Sequence, residues 1–81
     1  MSNFNQNIMQ IRDVSVYNGD KFPFVAKLVF CSVSAQYNVY DAYGNLAKIN
    51  MEVGREYNLP AVNIKAADDS TLPAGRIAVT N

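Results

Sequence analysis

Between Gln36 and Val53 the chain alternates apolar and polar residues, breaks off, and alternates again. Tyr37 and Val39 alternate with Asn38 and Tyr40; Asp41-Ala-Tyr-Gly-Asn45 intervenes; Ala47, Ile49, Met51 and Val53 then alternate with Lys48, Asn50 and Glu52. A period of two sends successive side chains to opposite faces of a strand. Gly44 supplies a residue free to take positive φ in the connecting loop. The segment predicts a β-hairpin.

The rest of the chain repeats this rhythm. Val14 and Val16 alternate with Ser15 and Tyr17, which predicts a short first strand from Ile11 up to the turn signal Asn18-Gly-Asp20. Phe22 to Val33 is rich in β-branched and aromatic residues, with Pro23 suited only to its start. As one strand it sets Val25, Val29, Cys31 and Val33 on the face of Lys27, and Phe24, Ala26, Leu28 and Phe30 on the other. Both faces are mostly apolar, so the strand is either covered on both sides or meets another subunit. Further on, Tyr57 and Leu59, Val62 and Ile64, and Arg76-Ile-Ala-Val-Thr80 read as strands, separated by Gly54, by the polar loop Ala67-Asp-Asp-Ser-Thr71, and by Pro73 and Gly75. Turn signals recur every eight to twelve residues or so, and no stretch has helical periodicity, so the fold class is all-β: a small antiparallel sandwich or barrel.

Eighty-one residues suffice for one domain, assigned to residues 11–81. A domain of this size buries only about 60–65% of the surface of its unfolded chain, and its stability margin is correspondingly thin. Cys31 is the one cysteine and there is no histidine, so an intrachain disulfide and the common zinc spacings are excluded. Self-association is the remaining aid. Seven Lys+Arg balance seven Asp+Glu, scattered from Arg12 to Arg76, which argues against nucleic-acid binding and removes the net repulsion that keeps small proteins apart.

Residues 1–10 are amide-rich, with Phe4, Ile8 and Met9 as isolated apolar points, and are read as an extended N-terminal arm. They show neither the basic nor the apolar region of a signal peptide, and the longest apolar stretch, Phe22 to Val33, is interrupted and too short to span a membrane. A soluble chain, cytosolic at synthesis, with no membrane partner is expected.

No enzymatic activity and no cofactor are expected either. Histidine, the usual base near neutrality, is missing, and Cys31 sits in the most apolar run, where a thiol is unreactive. Asp68 and Asp69 lack the alternate ligand spacing and glycine bend of a calcium loop, and Glu52 and Glu56 have no supporting residues as an acid/base pair. No metal site is assigned. The aromatic residues carry more information. Tyr37, Tyr40 and Tyr43 surround the hairpin, and the alternation leaves Tyr40 and Tyr43 outside the core, where tyrosine suits subunit contact and, as a second reading, stacking on sugar rings. The candidate interface residues are Phe4 and Ile8 in the arm, and Phe22, Phe24, Tyr40 and Tyr43 on the domain surface.

Leu28-Val-Phe-Cys31, Asp41-Ala-Tyr-Gly-Asn45, Glu52-Val-Gly54, Tyr57-Asn-Leu-Pro60, Val62-Asn-Ile64, Asp68-Asp-Ser-Thr71 and Ile77-Ala-Val79 follow one another in an order that resembles small β-sandwich structural proteins of tailed bacteriophages. The resemblance covers Leu28 to Asn81. Tyr57 stands where a glycine-rich turn belongs, and the amide-rich arm is additional. The resemblance implies a virion component: a capsid decoration, or cement, protein, or the base domain of a spike; the exposed tyrosines leave a spike- or tail-associated carbohydrate- or host-binding module as the alternative. It also implies a homo-oligomer, often a trimer, whose partner is the major capsid protein or another virion subunit.

Overall fold

A computed structural model describes residues 10–81, so the expected arm, including Phe4 and Ile8, falls almost entirely outside the described residues. The hairpin is present as expected. Its strands are β3 (Ala35–Tyr40) and β4 (Leu46–Met51). Asp41 builds the loop between them: its Oδ1 accepts the backbone N–H groups of Tyr43 and Asn45 (both 2.9 Å), and its Oδ2 accepts Asn45 Nδ2 (3.1 Å). Gly44 takes φ 85°, the left-handed conformation that its missing Cβ allows. Three further strands, β2 (Val29–Cys31), β5 (Asn63–Ala66) and β6 (Ile77–Thr80), lie within segments predicted to be extended.

With β1 (Ile11–Asp13), these strands form two antiparallel three-stranded sheets, ordered β1-β6-β2 and β4-β3-β5. The fold is all-β and sandwich-like. Val29, Ile77 and Val79 from one sheet share the buried cluster with Tyr37, Val39, Met51 and Ile64 from the other, joined by Leu72 and Ala61 from the loops. At about 25 cal/mol per Å² of apolar area removed from water, this cluster is the main stabilising term.

Three predicted strands are corrected, and one of them, at Tyr57 and Leu59, is reduced to a single bridge from Tyr57 to Val29. Val14–Tyr17, read as strand, is a turn of 3-10 helix. Asp13 causes the change: its Oδ1 accepts the Ser15 N–H (2.9 Å) and its Oδ2 the Gly75 N–H (2.7 Å), so the backbone finds a capping partner in place of a ladder. With three residues per turn, Val14 and Tyr17 fall on one side, Val14 buried and Tyr17 half-buried, while Val16 is 67% exposed.

The segment Phe22 to Val33 is extended as a ladder strand only at Val29–Cys31. Its backbone passes from one sheet to the other: Phe22 N–H and Ala26 N–H donate to Val62 O and Ala61 O beside β5, whereas Lys27 N–H donates to Thr80 O on β6. Alternation fails across that transfer. Val29 and Cys31 are buried as covered residues, but Val25 and Val33, assigned to the same face, are exposed, and Phe22 and Ala26 are core.

Candidate interaction surface

The expected surface aromatics separate into two groups. Phe22 does not belong on the surface: it is 4% exposed, because Phe22 N–H is anchored to Val62 O and the irregular backbone turns the ring inward. Phe24 stacks on it at 5.5 Å between centroids, Tyr17 packs at 5.2 Å from Phe22 and 5.8 Å from Phe24, and the Arg12 guanidinium lies 5.2 Å from the centre of the Phe24 ring. Arg12 Nη1 also donates to Tyr17 Oη (3.2 Å). Phe24 is therefore half-buried under its own chain's cation, a weaker surface candidate than expected.

Tyr40 and Tyr43 lie at the loop end of the hairpin. Tyr43, at the loop tip, is 90% exposed. Tyr40 is half-buried and held in place, its hydroxyl donating to Asp69 Oδ1 and its ring lying 5.8 Å from Lys65 Nζ. Beside it a cleft of about 190 Å³ opens between Lys21, Asp41, Val62 and Asn63.

Sequence reasoning missed the polar network on the outward face of this sheet. Asn38, 2% exposed, faces Lys48 on β4 and Lys65 on β5. Lys48 Nζ donates to Asn38 Oδ1 (3.0 Å) and Ala67 O (3.3 Å), Asn38 Nδ2 donates to Asp69 Oδ1 (3.3 Å), and Lys65 Nζ lies 3.8 Å from Asp69 Oδ2. Asp69 takes φ 67° to reach over the sheet. The hydrogen bond from Tyr40, then that from Asn38, hold the Asp69 carboxyl below the usual carboxylate range, and the same Tyr40–Asp69 bond raises the Tyr40 phenol. The pattern of polar residues at 38, 48 and 65 was visible in the sequence; that Asp69 folds back onto them was not.

The apolar inner face of the hairpin is only partly covered. Met51 is buried and Ile49 half-buried, whereas Ala47 is exposed, so coverage fades toward the loop. A groove of about 170 Å³ runs there between Val39, Ala47, Ile49, Leu59 and Pro60. Ile11, Val16, Tyr43, Leu46 and Val53 add exposed apolar side chains elsewhere on the domain.

Chemical groups are sparse. Cys31 is buried, and burial pushes its thiol up from the ordinary value. Among the described residues no group of three or more His, Cys, Asp or Glu is placed to hold a metal ion. The chain matches no family model, no curated protein and no solved structure.

Proposed function

We propose that this chain is a structural assembly subunit of a virion, of the capsid decoration type, made in the host cytoplasm and acting through contacts with major capsid protein or other virion subunits and with copies of itself. The observation that carries the reading is the amount of large apolar surface a small domain leaves uncovered: Ile11, Val16, Leu46 and Val53 are each at least 47% exposed, and the hairpin's inner face is open at its loop end. Exposed apolar concavities mark interaction sites, as the groove along Val39, Ala47, Ile49, Leu59 and Pro60 does here, and aromatic residues such as Tyr43 are enriched in them. The resemblance to small phage β-sandwich proteins supplies the virion context.

The test is co-sedimentation of the purified chain with phage heads lacking it. Saturable binding is expected. Deleting residues 1–10 is expected to leave a folded domain that no longer binds, and unchanged binding removes the arm from the mechanism. A chain that ignores heads altogether defeats the capsid reading.

The cleft beside Tyr40 favours a second reading, a carbohydrate- or host-binding module on a spike or tail. An aromatic ring, an ammonium group at Lys21 and the amide of Asn63 around one concavity suit a polyhydroxylated ligand. Because Tyr40 holds Asp69 in place, the exposed Lys21 is the cleaner probe: glycan binding by isolated monomer, lost in Lys21→Ala, selects this reading.

A further inference from the structure

β4 is the least protected sheet edge in the described residues. At the other edges, β1 and β2 have three residues each and β5 has four, and β2 is met at Val29 by Tyr57, each residue's N–H donating to the other's carbonyl (2.8 and 2.9 Å). β4 has six residues, with β3 on one side and, among the described residues, no strand on the other. The Asp41 N–H to Asn45 O bond (3.0 Å) sets the phase of the hairpin ladder. Counting from it, Ala47, Ile49 and Met51 exchange hydrogen bonds with β3, and the N–H and C=O groups of Leu46, Lys48 and Asn50 point outward.

Natural edges are usually guarded by proline or by a free charge. β4 has no proline, and Lys48, its one charged residue, directs its ammonium back across its own sheet to Asn38 Oδ1 and Ala67 O. The apolar groove lies directly alongside, lined on this strand by Leu46, Ala47 and Ile49.

We propose that two copies of the chain pair antiparallel along β4, with Ile49 on the two-fold axis, so that their hairpin sheets become one continuous sheet. The inference rests on the assembly reading above and names the first contact in it. A second copy is the occupant because the edge is self-complementary. Residues directly opposite in an antiparallel pair share a face, so a symmetric pairing places one residue opposite itself. Two registers keep most of β4 paired. One, covering Leu46–Asn50, is centred on Lys48 and sets that ammonium against its own copy, which is unfavourable. The other, covering Ala47–Met51, is centred on Ile49. It sets Lys48 opposite Asn50, both with outward-pointing backbone groups, and brings Ala47 and Ile49 of both copies onto one face so that the two grooves join. A formal net charge of zero adds no long-range repulsion.

Asn50 is exposed and tests the register without entering the core. Sedimentation equilibrium of the full chain over a concentration series is expected to give a monomer–dimer equilibrium. In the dimer, Asn50→Glu sets two carboxylates opposite the two Lys48 ammonium groups, and Asn50→Lys sets like charges there. Cross-strand charge pairs of this kind are expected to tighten the dimer by about 2- to 30-fold in the first variant and to weaken it by a similar factor in the second. A wild-type chain that stays monomeric, or a dimer that ignores both changes or moves the same way in both, overturns the β4 contact. Head binding by the same proteins, measured in parallel, separates the two ideas: binding that persists while position 50 is silent removes β4 alone, whereas no head binding removes the capsid reading.

Discussion

Tyr37 is the largest fully buried side chain, 1% exposed, and its hydroxyl donates to Val33 O at 2.6 Å. Tyr37→Phe keeps the ring and removes one hydrogen bond. Because Val33 is 43% exposed, water can reach the abandoned carbonyl, so the cost is that of an ordinary bond, about 1 kcal/mol, without a full burial penalty. Tyr37→Ala also removes the ring and leaves a cavity between the sheets, costing about 3–5 kcal/mol by analogy with other buried aromatics. A domain of this length is expected to have a total stability of about 4–12 kcal/mol, so the second change is close to unfolding it.

Urea denaturation followed by far-ultraviolet circular dichroism measures both. With a urea slope of about 1 kcal/mol per M for a small domain, Tyr37→Phe should lower the midpoint by about 1 M at neutral pH. Burial pushes the Tyr37 phenol above its ordinary value. The neutral phenol is thus favoured in the folded state, so its contribution is complete below the unfolded-state value near pH 10 and is lost as pH rises through the folded-state value. The gap between wild type and Tyr37→Phe should therefore narrow above about pH 10. A phenylalanine variant as unstable as the alanine variant would refute the reasoning, as would a gap that widens in alkali.

Three other outcomes follow from the same geometry. Gly19 has φ 85° and an added Cβ would stand 2.6 Å from Thr71 Oγ1, so Gly19→Ala should cost at least about 1–2 kcal/mol, read as a lower thermal midpoint. Backbone hydrogen bonds from Ser15 and then Gly75 hold the Asp13 carboxyl below its ordinary value. Its stabilisation is present above the unfolded-state value near 4 and lost as pH falls through the folded one, so Asp13→Asn should be less stable at pH 7 and show a shallower acid decline in urea titrations. Tyr43→Ala, at the exposed loop tip, should leave the free energy of unfolding from urea titration within about 0.5 kcal/mol of wild type, so that any loss of binding in that variant reports contact and not folding.

Local pattern alone was enough to read the all-β class, the hairpin at Ala35–Met51, the extended segments around Val29, Ile64 and Ile77, and the polar turn at Asp68–Thr71. In each of these the residues that decide the conformation are neighbours in the chain: alternation fixes the faces, and Asp41, Gly44 and Asn45 close their own loop. Tertiary contacts decided the rest. The 3-10 turn at Val14–Tyr17, capped locally by Asp13 on Ser15, is tied to the rest of the fold by Asp13 reaching Gly75, the burial of Phe22 depends on Val62, and the break at Ala26–Lys27 arises where hydrogen-bond partners change from Ala61 to Thr80. The groove beside Ile49 likewise appears only once the distant Leu59 and Pro60 are seen to form its other wall. Partners distant in sequence leave no period for alternation to report, because a backbone donor accepts whichever carbonyl the fold brings to it.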